Sequence, residues 1–163
     1  MKRFKLLHDF IVPGLFIIYI YAVFKVILFK FGSINIVFLW QQLQRVTEHP
    51  DTIVYHLQLA NFIPLKSIMQ NIQGLSSHDL VNLVGNIVIF MPFGGFLLIL
   101  KGQKISFRGM LIRSFGFSLC LECMQLVLFM GTFDVDDLIL NTTGGLLGYG
   151  VVKLFFKSKK SGG

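Results

Sequence analysis

The chain has 163 residues, of which 54% are hydrophobic and only 14% charged; it carries eighteen Phe and a formal net charge of +7. A soluble domain of this size carries about a quarter charged residues, so this composition, with a mean hydropathy of +0.71, excludes an ordinary water-soluble globule. Backbone polar groups that face lipid must pair internally, and without the alternating pattern of a barrel the chain reads as all-α, a multi-pass membrane helical bundle.

The first apolar run covers residues 10–29 and follows Lys2, Arg3 and Lys5. It outlasts a signal-peptide core and ends in no small-residue cleavage site, so it reads as a retained transmembrane anchor. A long connection, residues 31–79, comes next. Residues 34–43 within it are apolar and include Trp40, but they are too few to span. They fit an outer interfacial or re-entrant segment with Trp40 at headgroup level. Residues 45–51 are polar and read as a loop with Pro50; Gln41, Gln42, Gln44, Arg45 and Glu48 argue against a fifth crossing. Three further spans are predicted over residues 80–100, 110–130 and 137–156, which makes four transmembrane helices in one domain of residues 1–160. Pro92 with Gly94 and Gly95 marks a kink or thinning of the second span. Ser161-Gly162-Gly163 reads as an appended expression scar.

Charge placement sets an expected orientation. Lys2, Arg3 and Lys5 precede the first span; Lys101, Lys104, Arg108 and Arg113 lie between or at the edge of the second and third; Lys153, Lys157, Lys159 and Lys160 close the chain. These regions hold eleven of the fifteen basic residues and, of the acidic ones, only Asp9. The positive-inside rule puts them in the cytoplasm, with the N- and C-termini both inside. The same scatter over three membrane-flanking clusters argues against a nucleic-acid partner.

Cys120 and Cys123 form a C-x-x-C string, but it lies inside the third span, where thiols act as small apolar side chains and no thiolate is favoured. His8, His49, His56 and His78 are dispersed, so no metal ligand set and no cofactor is expected.

Polar residues inside the spans are more informative, because charges in hydrocarbon cost about 2.5–3.5 kcal/mol on insertion scales. Glu122 lies near the middle of the third span, and Gln125 shares its face. Asn82 and Asn86 stand four apart at the start of the second span. Asp134, Asp136 and Asp137 open the fourth, where Asp137 and Asn141 share a face continued by Gly144, Gly145 and Gly148. Small residues there allow close helix approach, either within the bundle or in a homo-oligomer. Asp136 falls out of phase with that stripe and is expected to meet water or headgroups. The topology brings Asn82, Asn86, Glu122, Gln125, Asp134, Asp137 and Asn141 to similar depth, as the lining of one outward-opening ligand pocket. The alternative is that these groups form inter-helix hydrogen bonds that hold the bundle together.

Four strings in order, Asn61-Phe62-Ile63-Pro64-Leu65, Asn82-Leu83-Val84-Gly85-Asn86 leading into Phe90-Met91-Pro92-Phe93-Gly94, Glu122-Cys123-Met124-Gln125, and Phe133-Asp134-Val135-Asp136-Asp137-Leu138 continuing to Gly145, resemble the VanZ-like family over residues 61–150. The resemblance implies a bacterial cell-envelope protein related to one linked to low-level resistance to the glycopeptide teicoplanin, so the antibiotic is an indirect partner. One position departs: Gly131 stands where the family usually has Arg. If that Arg binds an anion in relatives, either Lys66 or Arg45 substitutes for it here or the ligand differs.

Three functions fit these features. The first is binding of an outer-leaflet membrane lipid or lipid-linked glycan, with its head among the carboxylates and amides and its tail against Phe-rich walls. The second is an enzyme acting on such a lipid, with Glu122 and Asp137 as acid–base pair. The third is a lipid transporter, for which the matching site in the other half of the bundle is missing.

Overall fold

The computed structural model describes residues 7–29, 35–49, 51–74, 76–102 and 104–161, and among these it is predominantly helical, with no strands. A π-helical turn, Leu7–Ile11, leads into α1 (Val12–Phe29); then follow α2 (Ile36–Glu48), α3 (Asp51–Leu59), α4 (Lys66–Gly74), α5 (Ser77–Leu100), α6 (Phe107–Val127) and α7 (Val135–Ser161). Four segments are long and apolar enough to cross a membrane: Asp9–Phe29, Asp79–Leu100, Phe107–Val127 and Val135–Ser158. The protein is an all-α membrane protein, with the four spans the composition demands.

The helix starts have ordinary chemical causes. Ser76 and Asp79 form a reciprocal capping box at the start of α5, and the Ser106 hydroxyl accepts from the Gly109 N–H at 3.1 Å at the start of α6. These bonds satisfy donors that a helix N-terminus otherwise leaves free. The end of α6 is less ordinary. The Met130 N–H reaches back to the Gln125 carbonyl at 3.0 Å and the Phe129 N–H to that of Leu126 at 3.3 Å, with Phe129 at φ 51°. This is a Schellman stop with a bulky residue in the left-handed position that glycine normally takes. The Phe129 ring compensates by packing on His56 of α3, with ring centroids 4.6 Å apart. The third span therefore stops at Val127, short of the Met130 expected from hydropathy.

The centre of the bundle is the α5–α7 seam. A β-carbon at Gly144 would collide with the Ile87 carbonyl, one at Gly148 with the Met91 carbonyl, and one at Gly94 with the Gly145 carbonyl. The two backbones touch, so the small-residue stripe serves the internal bundle. Phe93 and Phe117 stack at 4.7 Å beside a buried cluster of Val23, Phe90 and Leu121, which joins α1, α5 and α6. The Tyr19 hydroxyl of α1 donates to the Ile89 carbonyl at 2.6 Å.

The connection between α1 and α5 corrects one expectation. Residues 45–48, read as loop, continue α2 to Glu48, and Asp51 already opens α3. The polar residues do not end the helix because they sit on an amphipathic pattern: Ile36, Val37, Trp40 and Leu43 share one exposed face, with Trp40 62% exposed. At 13 residues, α2 is too short to span. Both α2 and α3 rest against α6, while α4 rests against α5 and α7. These packings gather the connection at the end of the bundle where α5 and α7 begin and α6 stops.

Candidate functional site

At that end the helices enclose a cavity of about 620 Å³. Asn82, Asn86, Glu122, Gln125, Asp134, Asp137 and Asn141 all line it. The mechanism of convergence is simple. Asn82 and Asn86 are in the first turns of α5, Asp137 and Asn141 in the first turns of α7, and Glu122 and Gln125 in the last turns of α6. Helical spacing turns each pair to one side, and the glycine seam draws α5 and α7 together around them.

Two kinds of polar group occur in this cluster. Some are fully engaged in holding the structure. Asp134 accepts from Asn61 Nδ2 at 2.8 Å, from the Ser67 hydroxyl at 2.6 Å and from the Asp136 N–H at 2.8 Å. Its backbone neighbours complete the link: the Asn61 N–H donates to the Phe133 carbonyl at 2.8 Å and the Val135 N–H to that of Asn61 at 3.0 Å. Asp134 therefore fastens the segment before α4 to the start of α7. Gln125 also braces the bundle, donating to the Ile27 carbonyl of α1 at 3.1 Å.

Asp136 corrects the sequence reading most clearly. It is fully buried and accepts from the Leu65 N–H at 2.5 Å and the Ile68 N–H at 3.1 Å. It meets neither water nor headgroups. Its carboxylate sits at the N-terminus of α4, where free N–H groups and the positive dipole end stabilise an anion. Helical phase alone misplaced it, because phase cannot see a helix arriving from elsewhere in the chain. Leu65 sits at φ 69°, a strained turn held by these bonds.

The other groups keep capacity toward the cavity. Glu122, 2% exposed, spends Oε2 on the Asp134 N–H at 3.0 Å. Asp137 spends Oδ1 on Asn86 Nδ2 at 2.6 Å. A carboxylate has about four acceptor positions, so each retains others. Asn141, 2% exposed, donates to the Ser118 hydroxyl at 2.9 Å, while its Oδ1 has no partner among the described residues. Sequence reasoning missed Ser67, Gln70 and Asn71 of α4, which also line the cavity. Their only signal was the polar i,i+3,i+4 spacing in a segment read as loop.

Gly131 lines the cavity as well, and a β-carbon there would stand 3.1 Å from the Gln125 amide nitrogen. Lys66 and Arg45 are exposed and do not line it. Neither replaces a cation at position 131. Among the described residues no group of His, Cys, Asp and Glu could hold a metal ion. Cys120 and Cys123 are free thiols on the outer face of α6.

Comparison with known proteins matches this chain to a family and to one of its curated relatives. The curated "Protein VanZ" of Enterococcus faecium is 35% identical over 81 residues, which cover 48% of this chain and 50% of that protein. The chain thus aligns with about half the length of this relative. No solved structure matches. The family model for VanZ/LLP1 matches residues 16–156, nearly the whole bundle, its glycine seam and its polar cavity included. The chain belongs to the VanZ/LLP1 family.

Proposed function

We propose that the protein binds a membrane lipid or lipid-linked glycan of the bacterial envelope, with the headgroup in the cavity between α5, α6 and α7. In this reading both termini are cytoplasmic and the cavity serves the outer leaflet, as the placement of Lys and Arg supports. The observation that carries the proposal is the mixed lining of the cavity. Glu122, Asp137 and Asn141 contribute polar groups to it, and Val26, Ile27, Val81 and Ile89 contribute apolar ones from α1 and α5. Pockets of this size and mixed lining suit amphiphiles. Occupying such a site would alter how an antibiotic meets envelope lipid, in keeping with the glycopeptide-resistance link of VanZ-like proteins.

Mass spectrometry of lipids retained by the gently purified protein tests this. The expected result is one lipid class enriched over its share of the host membrane, and depleted in a Glu122→Gln, Asp137→Asn double variant. A retained-lipid profile identical to bulk membrane in both proteins rejects binding. A chemically altered lipid in extracts of expressing cells, lost in the same variant, would instead assign Glu122 and Asp137 an acid–base role.

A further inference from the structure

The cavity has an unusual charge balance. Glu122, Asp134 and Asp137 all line it, and among its described lining residues there is no Lys, Arg or His. Asp134 is consumed by Asn61, Ser67 and the Asp136 N–H. Glu122 and Asp137 each answer one protein donor and keep further acceptor positions. An independent observation points the same way: Asn141 is 2% exposed, lines the cavity, and has an amide oxygen Oδ1 with no donor among the described residues. Leaving a buried acceptor without a partner is costly, so a donor that a ligand brings within reach of this oxygen would be favoured.

We infer that the cavity selects a ligand bearing a primary ammonium group, which would sit among Glu122, Asp137 and Asn141. This deepens the lipid-binding reading of the same cavity by naming the chemistry of the headgroup. An ammonium is a compact cation with three donors and no acceptor. It therefore complements two carboxylates and an amide oxygen, and it offsets the cost of holding carboxylates away from water. A phosphate or carboxylate placed at the same point would meet like charge and, among the described lining residues, no basic side chain. A neutral polyol could donate hydrogen bonds but would leave the charge uncompensated. The ammonium can come from an aminolipid headgroup or from a small free amine, and the two are separable.

Calorimetric titration of the full chain in non-ionic detergent makes the test, with four probes. These are dihexanoylphosphatidylethanolamine, its N-acetyl derivative, dihexanoylphosphatidylglycerol and free ethanolamine. The ethanolamine lipid should bind at least about tenfold tighter than the N-acetyl and glycerol lipids, and tighter than free ethanolamine. Glu122→Gln and Asp137→Asn should each erase most of that preference. Equal binding of all three lipids overturns the ammonium site while leaving the lipid reading intact. Free ethanolamine matching its lipid supports the ammonium site and removes the lipid reading. No binding by any probe defeats both. The probe series on the unmodified protein decides the matter even if a variant fails to fold.

Discussion

Asn86 donates its side-chain amide to Asp137 Oδ1 at 2.6 Å, and this bond crosses the α5–α7 seam from the residue next to Ile87, whose carbonyl meets Gly144. Packing and polarity are thus coupled: the glycines bring the backbones together, and the bond sits where they begin to part around the cavity. Asn86→Leu should lower thermal stability by about 1–3 kcal/mol, because it leaves the half-buried Asp137 carboxylate without the Asn86 donor. Asn86→Asp should cost at least as much, since it sets two carboxylates side by side. A thermal-unfolding series in detergent measures both.

Glu122→Gln tests function apart from fold. Glutamine keeps an oxygen to accept from the Asp134 N–H, which Glu122 binds at 3.0 Å. Thermal stability should change by less than about 1 kcal/mol, as one hydrogen bond is replaced by a neutral counterpart. Retention of the bound lipid, and any resistance phenotype conferred by the wild type, should be lost. A fully active Glu122→Gln variant makes this residue a bundle bond only.

The glycine seam gives a sharp contrast. Gly148→Ala pushes a methyl into the Met91 carbonyl and should destabilise by about 1–3 kcal/mol, because backbone cannot step aside as a side chain can. Gly116→Ala, in the middle of α6 with nothing within 4 Å of the added carbon, should be neutral or stabilising by up to about 1 kcal/mol. Equal effects at the two sites would contradict the close α5–α7 approach.

Asp136 should control how firmly α4 is held. In Asp136→Ala, the Leu65 and Ile68 N–H groups lose their shared acceptor, a loss of about 1–3 kcal/mol per donor left unpaired. Hydrogen exchange at those two amides should speed up far more than at amides in the middle of α7. Lipid retention should weaken as well, because Ser67, Gln70 and Asn71 of α4 line the cavity.

Orientation is open to direct measurement. Reporter fusions after Gln103 and Lys160 should report cytoplasm, and fusions near Glu48 and Gly131 should report the outside. A cytoplasmic signal near Glu48 would require an added crossing between Phe31 and Gln44 and overturn the four-span arrangement. Depth-dependent quenching of Trp40, the single Trp, should place α2 at headgroup level, since its apolar face is exposed and α2 is too short to cross.

Much of this protein is legible in its sequence, for physical reasons that are local. Apolar runs of about 20 residues must span, so the four crossings follow from composition. Helical period puts Asn82 with Asn86, Glu122 with Gln125 and Asp137 with Asn141 on shared faces, and hydrocarbon makes such faces turn inward. Where they meet in depth follows from span order alone. What the sequence could not decide lies in contacts between distant segments. Only the tertiary structure shows that Gly144 and Gly148 pack on α5, since a small-residue stripe suits any partner helix. Only the tertiary structure buries Asp136 against the N–H groups at the start of α4, some seventy residues earlier in the chain. It alone separates Asp134, whose oxygens are spent on Asn61 and Ser67, from Glu122 and Asp137, which face the cavity with acceptors to spare. Residue type and period determine which groups must leave the lipid; the geometry of their partners determines which of them remain available to a ligand.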